Sequence, residues 1–307
     1  MKQEFFYPSR DGITRIHAIE WIPHGQVRAV LQIAHGMVEF IDRYDRFASF
    51  MASQGIYVVG NDHLGHGKSV TNESQYGYFA KRDGNLCVLG DMQQLRVDTR
   101  GKYPSLPYFI LGHSMGSFLV RQFIEIYGEG LSGAIVMGTG YQPPAVLNLA
   151  IGLSSVFQRS RGGHYRSGMI DRMALGSYNT AFEPGRTKND WLTRDEAIVD
   201  AYVANPLNQF TFTVNGYNNL FRGMRFAERR KNLEKIPKDL PILVVSGGKD
   251  PVGDFGKGPR IVADSFQAAG IRDVTLKLYP EDRHEILNEL DRETVDHDLL
   301  NWIEARL

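Results

Sequence analysis

A serine framed by glycines, Gly112-His113-Ser114-Met115-Gly116, stands between the apolar run Tyr108-Phe109-Ile110-Leu111 and an amphipathic stretch from Met115 to Tyr127. The run reads as a buried strand and the stretch as a helix, so the serine must occupy a sharp turn between them. Glycines two positions to either side are required because strand and helix pass too closely there for side chains. Such a turn lifts a hydroxyl into a cleft and brings helix N-terminal N–H groups to the same spot. Ser114 is therefore the candidate nucleophile.

The same alternation of strand and helix runs through most of the chain. Expected strands cover Glu4–Tyr7, Ile13–Ile22, Ala29–Ala34, Ile56–Val59, Tyr108–Leu111, Gly133–Met137, Ile242–Val245 and Val274–Leu278. The first two flank a turn at Ser9-Arg10-Asp11-Gly12 and read as an antiparallel edge hairpin. Expected helices cover Tyr44–Ser53, Gly90–Arg100, Met115–Tyr127, Arg260–Ala269 and Thr294–Arg306. Near-continuous apolar strands separated by helices imply an α/β fold, with a mostly parallel sheet covered on both faces. The alternation stops between Tyr141 and Asn232, a stretch rich in polar and aromatic residues that looks helical in pieces. It reads as a mainly helical cap inserted between two strands of one sheet. The expected organisation is a core of residues 1–140 and 233–307 interrupted by a cap at 141–232.

Charge narrows the function. The chain has 35 basic and 35 acidic residues, and no stretch reads as a basic arm, which argues against nucleic acid as a partner. Cys87 is the sole cysteine, so an intrachain disulfide and a cysteine zinc site are both excluded. With no leader-like N-terminus and no apolar run of membrane-spanning length, a cytoplasmic location is expected.

A serine at its ordinary pKa is a weak nucleophile and needs a base. Of nine histidines, only His284 lies in the loop directly after the last expected strand, in Tyr279-Pro280-Glu281-Asp282-Arg283-His284. His17, His24, His164 and His297 read as surface or packing residues. The acid should lie between serine and histidine in chain order. Asp250, in Ser246-Gly247-Gly248-Lys249-Asp250-Pro251-Val252, sits in the loop after a strong apolar strand, with Asp254 as its rival. The loop one strand earlier, Thr139-Gly140-Tyr141-Gln142, has no carboxylate. His284-Glu285-Ile286-Leu287-Asn288 begins like the zinc motif H-E-x-x-H but ends in Asn288, so no metal is expected. Two backbone donors are needed for a tetrahedral oxyanion. The N–H of Met115 follows the nucleophile, and His35-Gly36-Met37 stands where a second loop donor is wanted, offering the N–H of Met37.

With these motifs together, the sequence resembles the monoacylglycerol lipase and lysophospholipase-like branch of the α/β-hydrolases. That branch carries H-G-x-[small]-E-H followed by R-Y, here His35-Gly36-Met37-Val38-Glu39-Phe40 and then Arg43-Tyr44. Val38 is bulkier than the usual residue, and Phe40 replaces histidine. Its D-H-x-G-H-G-x-S loop is Asp62-His63-Leu64-Gly65-His66-Gly67-Lys68-Ser69, read as architectural support for the active-site face rather than a phosphate cradle. G-H-S-M-G, the S-G-x-x-D-P-V acid loop and the H-E-x-x-N-E segment ending at Glu289 are matched in full. Asp190-Trp191-Leu192-Thr193-Arg194-Asp195 resembles the D-W-L-[ST]-R-D stretch of bacterial members.

The resemblance implies a cofactor-independent serine hydrolase of α/β-hydrolase fold, cleaving monoacylglycerol or lysophospholipid-like acyl esters through Ser114, His284 and Asp250. The most apolar part of the insertion runs from Pro144 to Leu153 and on to Val156-Phe157. Leu149, Leu153 and Phe157 are candidate liners of an acyl channel. The arginines that follow, Arg159, Arg161 and Arg166, suit a transient contact with a lipid surface. Trp191, Phe210, Phe212, Tyr217 and Phe221 either line the pocket or form the cap's own core. Two other functions fit the same chain. One is an aminopeptidase, whose cap would hold a free α-amine with Glu183, Asp190, Asp195 and Glu196. The other is a binding scaffold without catalysis, against which a complete triad argues. Oligomeric state is not legible.

Overall fold

The computed structural model describes residues 1–307. Eight strands form one sheet: β1 (Lys2–Pro8), β2 (Arg15–Trp21), β3 (Ala29–Ala34), β4 (Ile56–Asn61), β5 (Tyr108–His113), β6 (Gly133–Met137), β7 (Ile242–Gly247) and β8 (Val274–Tyr279). Their order is β1-β2-β4-β3-β5-β6-β7-β8. The β1–β2 and β2–β4 pairs are antiparallel, and every pair from β4 to β8 is parallel. The chain leaves β3 for β4 on one side and returns to β5 on the other. A crevice therefore opens beyond the carboxyl ends of β3 and β5, where open α/β sheets bind their ligands. His35-Gly36-Met37 and Ser114 both fall at this point.

Alternate side chains of each strand feed two cores. Val30, Tyr57, Ile110, Val136 and Val244 face α2 (Gly84–Lys102), α3 (Met115–Tyr127) and α9 (Lys257–Ala268). Leu31, Val58, Phe109, Ile135 and Val245 face α1 (Asp45–Ser53) and α10 (Arg292–Glu304). Both faces are covered, as near-continuous apolar strands require.

Between β6 and β7 the chain runs through α4 (Pro144–Arg161), α5 (Gly168–Leu175), α6 (Glu196–Ala204), α7 (Val214–Ala227) and α8 (Arg230–Leu233). α4 lies along α7, where the Asn218 amide donates to Ser154 Oγ (2.8 Å) and Ser155 Oγ (2.9 Å). The segment's two ends meet: the Gln142 N–H donates to Glu228 (3.2 Å), and Arg121 of α3 donates to the Gly140 carbonyl (3.0 Å). No helix is long and apolar enough to cross a membrane.

Two helix starts differ from expectation by three residues or more. The helix expected at Gly90 begins at Gly84, because its first turn is held from outside rather than by a local cap: Asn219 accepts the Asn85 N–H (2.9 Å), and Gln122 accepts its side-chain amide (2.6 Å). Gly90 is a mid-helix glycine where the Arg10 side chain presses close. α9 likewise starts at Lys257, since Pro259 is tolerated within a first helical turn.

Phe266 of α9 is completely buried against the β7–β8 side of the sheet. Phe266→Ala should cost about 3–5 kcal/mol, read as a lower urea midpoint at unchanged slope.

Candidate active site

The turn at Ser114 has the geometry its sequence demands. Ser114 has φ 53° and ψ −119°, a conformation a non-glycine residue adopts only under constraint. A Cβ on Gly112 would run into the Gly116 carbonyl, and one on Gly116 into the Ala34 carbonyl at the end of β3. The Ser114 N–H donates to Met137 O (3.0 Å), tying the turn to β6.

His284 lies in the loop after β8, with Nδ1 3.0 Å from Asp250 Oδ2. Asp250 is fully buried in the loop after β7 and also accepts from the Val252 N–H (2.9 Å) and Ser246 Oγ (3.2 Å). Asp254 is exposed and pairs with Lys257 (3.2 Å), away from His284. His284 Nε2 has no partner within the chain, and His284 and Ser114 line the same cavity. Asp250 and His284 are thus in contact, and Ser114 opens into the cavity that His284 lines.

The loop after β3 carries Met37, the expected second backbone donor. Met37 and Met115 both line the cavity. The Met37 N–H donates to no acceptor in the chain, and Met115, opening α3, has no intrahelical acceptor for its own. Val38 has φ 57°, costly for a β-branched residue. Its carbonyl is held by the Asn208 amide (2.7 Å) and the Tyr202 hydroxyl (3.1 Å), both from the insertion.

Beneath this loop lies a charge network whose roles sequence reasoning did not assign. Glu39 is buried and accepts from the Gly36 N–H, the Tyr44 hydroxyl (3.0 Å) and Arg43 (2.8 Å), and it faces His113 Nδ1 (3.2 Å). Arg43 also forks onto Glu285, with both contacts at 2.8 Å. Burial alone would raise the Glu39 pKa, but the bond to His113 and the charge of Arg43 outweigh it and hold Glu39 below the usual range. Burial would lower the His113 pKa, but Glu39 raises it. His113 Nε2 lies 3.2 Å from the His284 carbonyl, so the network reaches from the β3 loop to the histidine loop. The available signal was the spacing Glu39…Arg43…Glu285: charged residues inside motifs that otherwise read as buried.

The Asp62-to-Ser69 loop is structural, as expected. Asp62 accepts from the Ile41 and Lys68 N–H groups and pairs with His17 Nδ1, all at 2.8 Å. His35 Nε2 accepts the His63 N–H (3.0 Å).

The cavity is about 1200 Å³ and is lined by both core and insertion. Leu153 lines it, as does Leu149, which is largely exposed and so sits at the rim. Phe157 does not line it, contrary to expectation. One helical turn beyond Leu153, α4 has passed the cavity, and the Phe157 ring packs 5.8 Å from that of Tyr165. Trp191, Phe210, Tyr217 and Phe221 line the cavity, whereas Phe212 is an internal packing residue.

Glu39→Gln should cost about 2–3 kcal/mol, since an amide cannot accept from the loop N–H, the tyrosine and the arginine together. A thermal or urea melt would register the loss. The sign of the pH effect follows from the depressed pKa: the Glu39 contribution is present above its unfolded value of about 4.5 and disappears as pH falls through the lower folded value. The parent should therefore lose more stability than the glutamine variant below that pH.

The family model described as "Serine aminopeptidase, S33" matches residues 25–291. A monoacylglycerol lipase of Mycolicibacterium smegmatis is 27% identical over 313 residues, covering 100% of this chain and 98% of that protein. A monoglyceride lipase of Mus musculus is 28% identical, covering 94% of this chain and 86% of that protein. Among solved structures, a thermostable carboxyl esterase from Bacillus coagulans, in complex with glycerol, superposes with a TM-score of 0.93. It is 29% identical, with 99% of this chain and 98% of that chain covered. With the strained serine turn, the sheet order and the match along most of its length, this chain belongs to the serine aminopeptidase S33 family of α/β-hydrolases.

Proposed function

We propose that the protein hydrolyses carboxylic esters, favouring monoacylglycerol-like substrates with a single acyl chain, through Ser114, His284 and Asp250. The observation that carries this reading is the strained Ser114 turn opening into the same cavity as His284, whose other ring nitrogen meets buried Asp250. Similarity to lipases and to a carboxyl esterase favours esters.

In this mechanism Ser114 Oγ attacks the ester carbonyl while its proton passes to His284 Nε2. Asp250 keeps the imidazole in the tautomer that accepts there and stabilises the imidazolium. The Met37 and Met115 N–H groups receive the oxyanion. Collapse breaks the bond to the alcohol, which leaves with the proton from His284, and an acyl-serine remains. Water then gives its proton to His284 and adds to the acyl carbon. The carboxylic acid departs as Ser114 regains the proton.

Residues 141–232 act as the cap that selects the substrate. Leu147, Leu149, Leu153, Leu220 and Met224 among the cavity liners suit an acyl chain, while Asn179, Thr187 and Asn189 suit a hydroxylated alcohol. Exposed Val146 and Val156 on α4, with Met169 and Met173 on α5, suit brief contact with a lipid surface. An aminopeptidase is less well supported. Of the four acidic residues that could hold an α-amine, only Glu183 lines the cavity. Asp190 is tied to Thr187, Asp195 caps α6 and pairs with Arg292 (2.8 Å), and Glu196 lies beside Arg186 (3.5 Å).

Ser114→Ala should fold, lose labelling by a fluorophosphonate and lose nearly all turnover; a probe adduct on another residue overturns the assignment. Asp250→Asn should lower kcat by about four decades and Asp254→Asn far less, and the reverse order would reassign the acid. Across p-nitrophenyl esters from acetate to laurate, each further buried CH₂ contributes up to about 0.8 kcal/mol. Part of that is offset by ordering the chain. Leu153→Trp should move the optimum to shorter chains. A profile highest at acetate and unmoved by Leu153→Trp, with turnover of aminoacyl anilides instead, would favour the peptidase reading.

A further inference from the structure

The stretch Asp190–Asp195 of the insertion has no part in the chemistry above, yet it is laced to the loop that carries His284. The Glu285 N–H donates to Leu192 O (2.7 Å) and the His284 N–H to Trp191 O (3.4 Å), while the Trp191 ring lies 5.0 Å from the imidazole. Thr193 Oγ1 donates to Asn288 O (2.9 Å).

Side chains cross between the two segments in both directions: Arg283 donates to Asp190 O and Thr193 O, Arg292 to Asp195, and Arg194 reaches back to three carboxylates. Arg194 Nη2 donates to Asp282 Oδ1 and Asp291 Oδ1, both at 2.6 Å, and Nε donates to Glu289 Oε2 (2.9 Å). Asp282 and Glu289 are fully buried. Glu289 also accepts the Arg194 N–H (3.1 Å) and the Arg283 N–H (2.9 Å), gripping both segments next to His284. The three carboxylates lie within 4.8 Å of one another and converge on one guanidinium. Arg194 meets the three through two nitrogens spaced along one rigid planar edge, a spacing that the single nitrogen of a lysine ammonium does not reproduce.

We propose that Arg194 is a positioning residue for the hydrolysis: it clamps the His284 loop to the cap, so that the base is correctly aimed only while the cap is seated. This rests on the reading of His284 as the general base.

Charge points the same way. Burial, then the contact with Asp291 and the charge of Glu289, push the Asp282 carboxyl up to about 7. Without Arg194, two or three carboxylates would stand uncompensated near an imidazole that must be neutral to work. Arg283 and Arg292 flank this cluster, with Tyr279 and Asp195. Asp250, His113, Glu285, Arg43 and Tyr178 complete the titratable surroundings of His284. Loss of the guanidinium positive charge would leave a net negative cluster beside the imidazole, which favours its protonated form.

The test uses the full chain with p-nitrophenyl butyrate, with each variant's fold checked by circular dichroism and thermal melting. Arg194→Ala should lower kcat roughly 10- to 100-fold, the penalty of a small misplacement of a reacting group, with KM changed less than about twofold. The acid limb of its kcat/KM profile should move up by about half a unit to one unit. Added guanidinium at low millimolar concentration should recover part of kcat, whereas urea, neutral and of similar shape, should not. Should Arg194→Ala fail to fold, Arg194→Lys decides the matter. Its charge keeps the acid limb in place, while loss of the fork lowers kcat at least fivefold. Parental kcat in Arg194→Lys, an effect on KM alone, or equal recovery by urea and guanidinium would each overturn the proposal. His284→Ala separates the two readings. If it remains active, the triad itself is wrong; if it is inactive while the Arg194 variants turn over normally, only the clamp is wrong.

Discussion

Everything at the site depends on how closely α3 approaches β3 and β5. Contact at Gly112 and Gly116 leaves no room for a Cβ on either, and the backbone between them is forced into the positive-φ turn at Ser114. Holding a serine there costs on the order of 1–3 kcal/mol. The cost is offset locally by the bond from the Ser114 N–H to β6 and by the start of a helix with a fully buried apolar face. The same approach sets the first N–H of α3 opposite the loop leaving β3. One packing constraint thus brings the Ser114 hydroxyl, the Met115 N–H and the loop after β3 to one place.

A second layer keeps that arrangement stiff. Glu39, Arg43, Glu285 and His113 form a buried network in which each charge has an opposite partner, as low-polarity surroundings demand. Beside it, the His35 ring lies 4.3 Å from that of His63, tilted, and 5.1 Å from that of His66, edge-on, and burial lowers the pKa of all three. Burial, then the neighbouring imidazole of His35, pushes His66 down to about 3.

The strands and the site-bearing turns were legible because they rest on local rules. Apolar runs ended by glycine gave the sheet, and the chain order Ser114, Asp250, His284 follows from a fold that hangs its chemistry on successive strand ends. What escaped depends on contacts between distant segments. The start of α2 is set by Asn219 and Gln122, more than thirty residues away in sequence, and no local cap announces it. Phe157 had the right spacing from Leu149 and Leu153, but where a cavity ends along a helix is decided by its neighbours. The motif residues Glu39, Arg43 and Arg194 were visible as letters. Their partners lie as much as two hundred and forty positions away, so their roles were not.

The insertion begins and ends at the same place, where Gln142 meets Glu228. A closed excursion of this kind can be lengthened, shortened or replaced over evolutionary time without re-registering β6 and β7, since closure entropy grows only slowly with length. Substrate range can diverge on an unchanged sheet. The lacing of Asp190–Asp195 onto the His284 loop sets a limit on that freedom. A graft that replaced the insertion alone would leave Asp282 and Glu289 buried without the Arg194 counter-charge. The heritable module is therefore the insertion together with residues 282–292, two pieces of chain obliged to change in step.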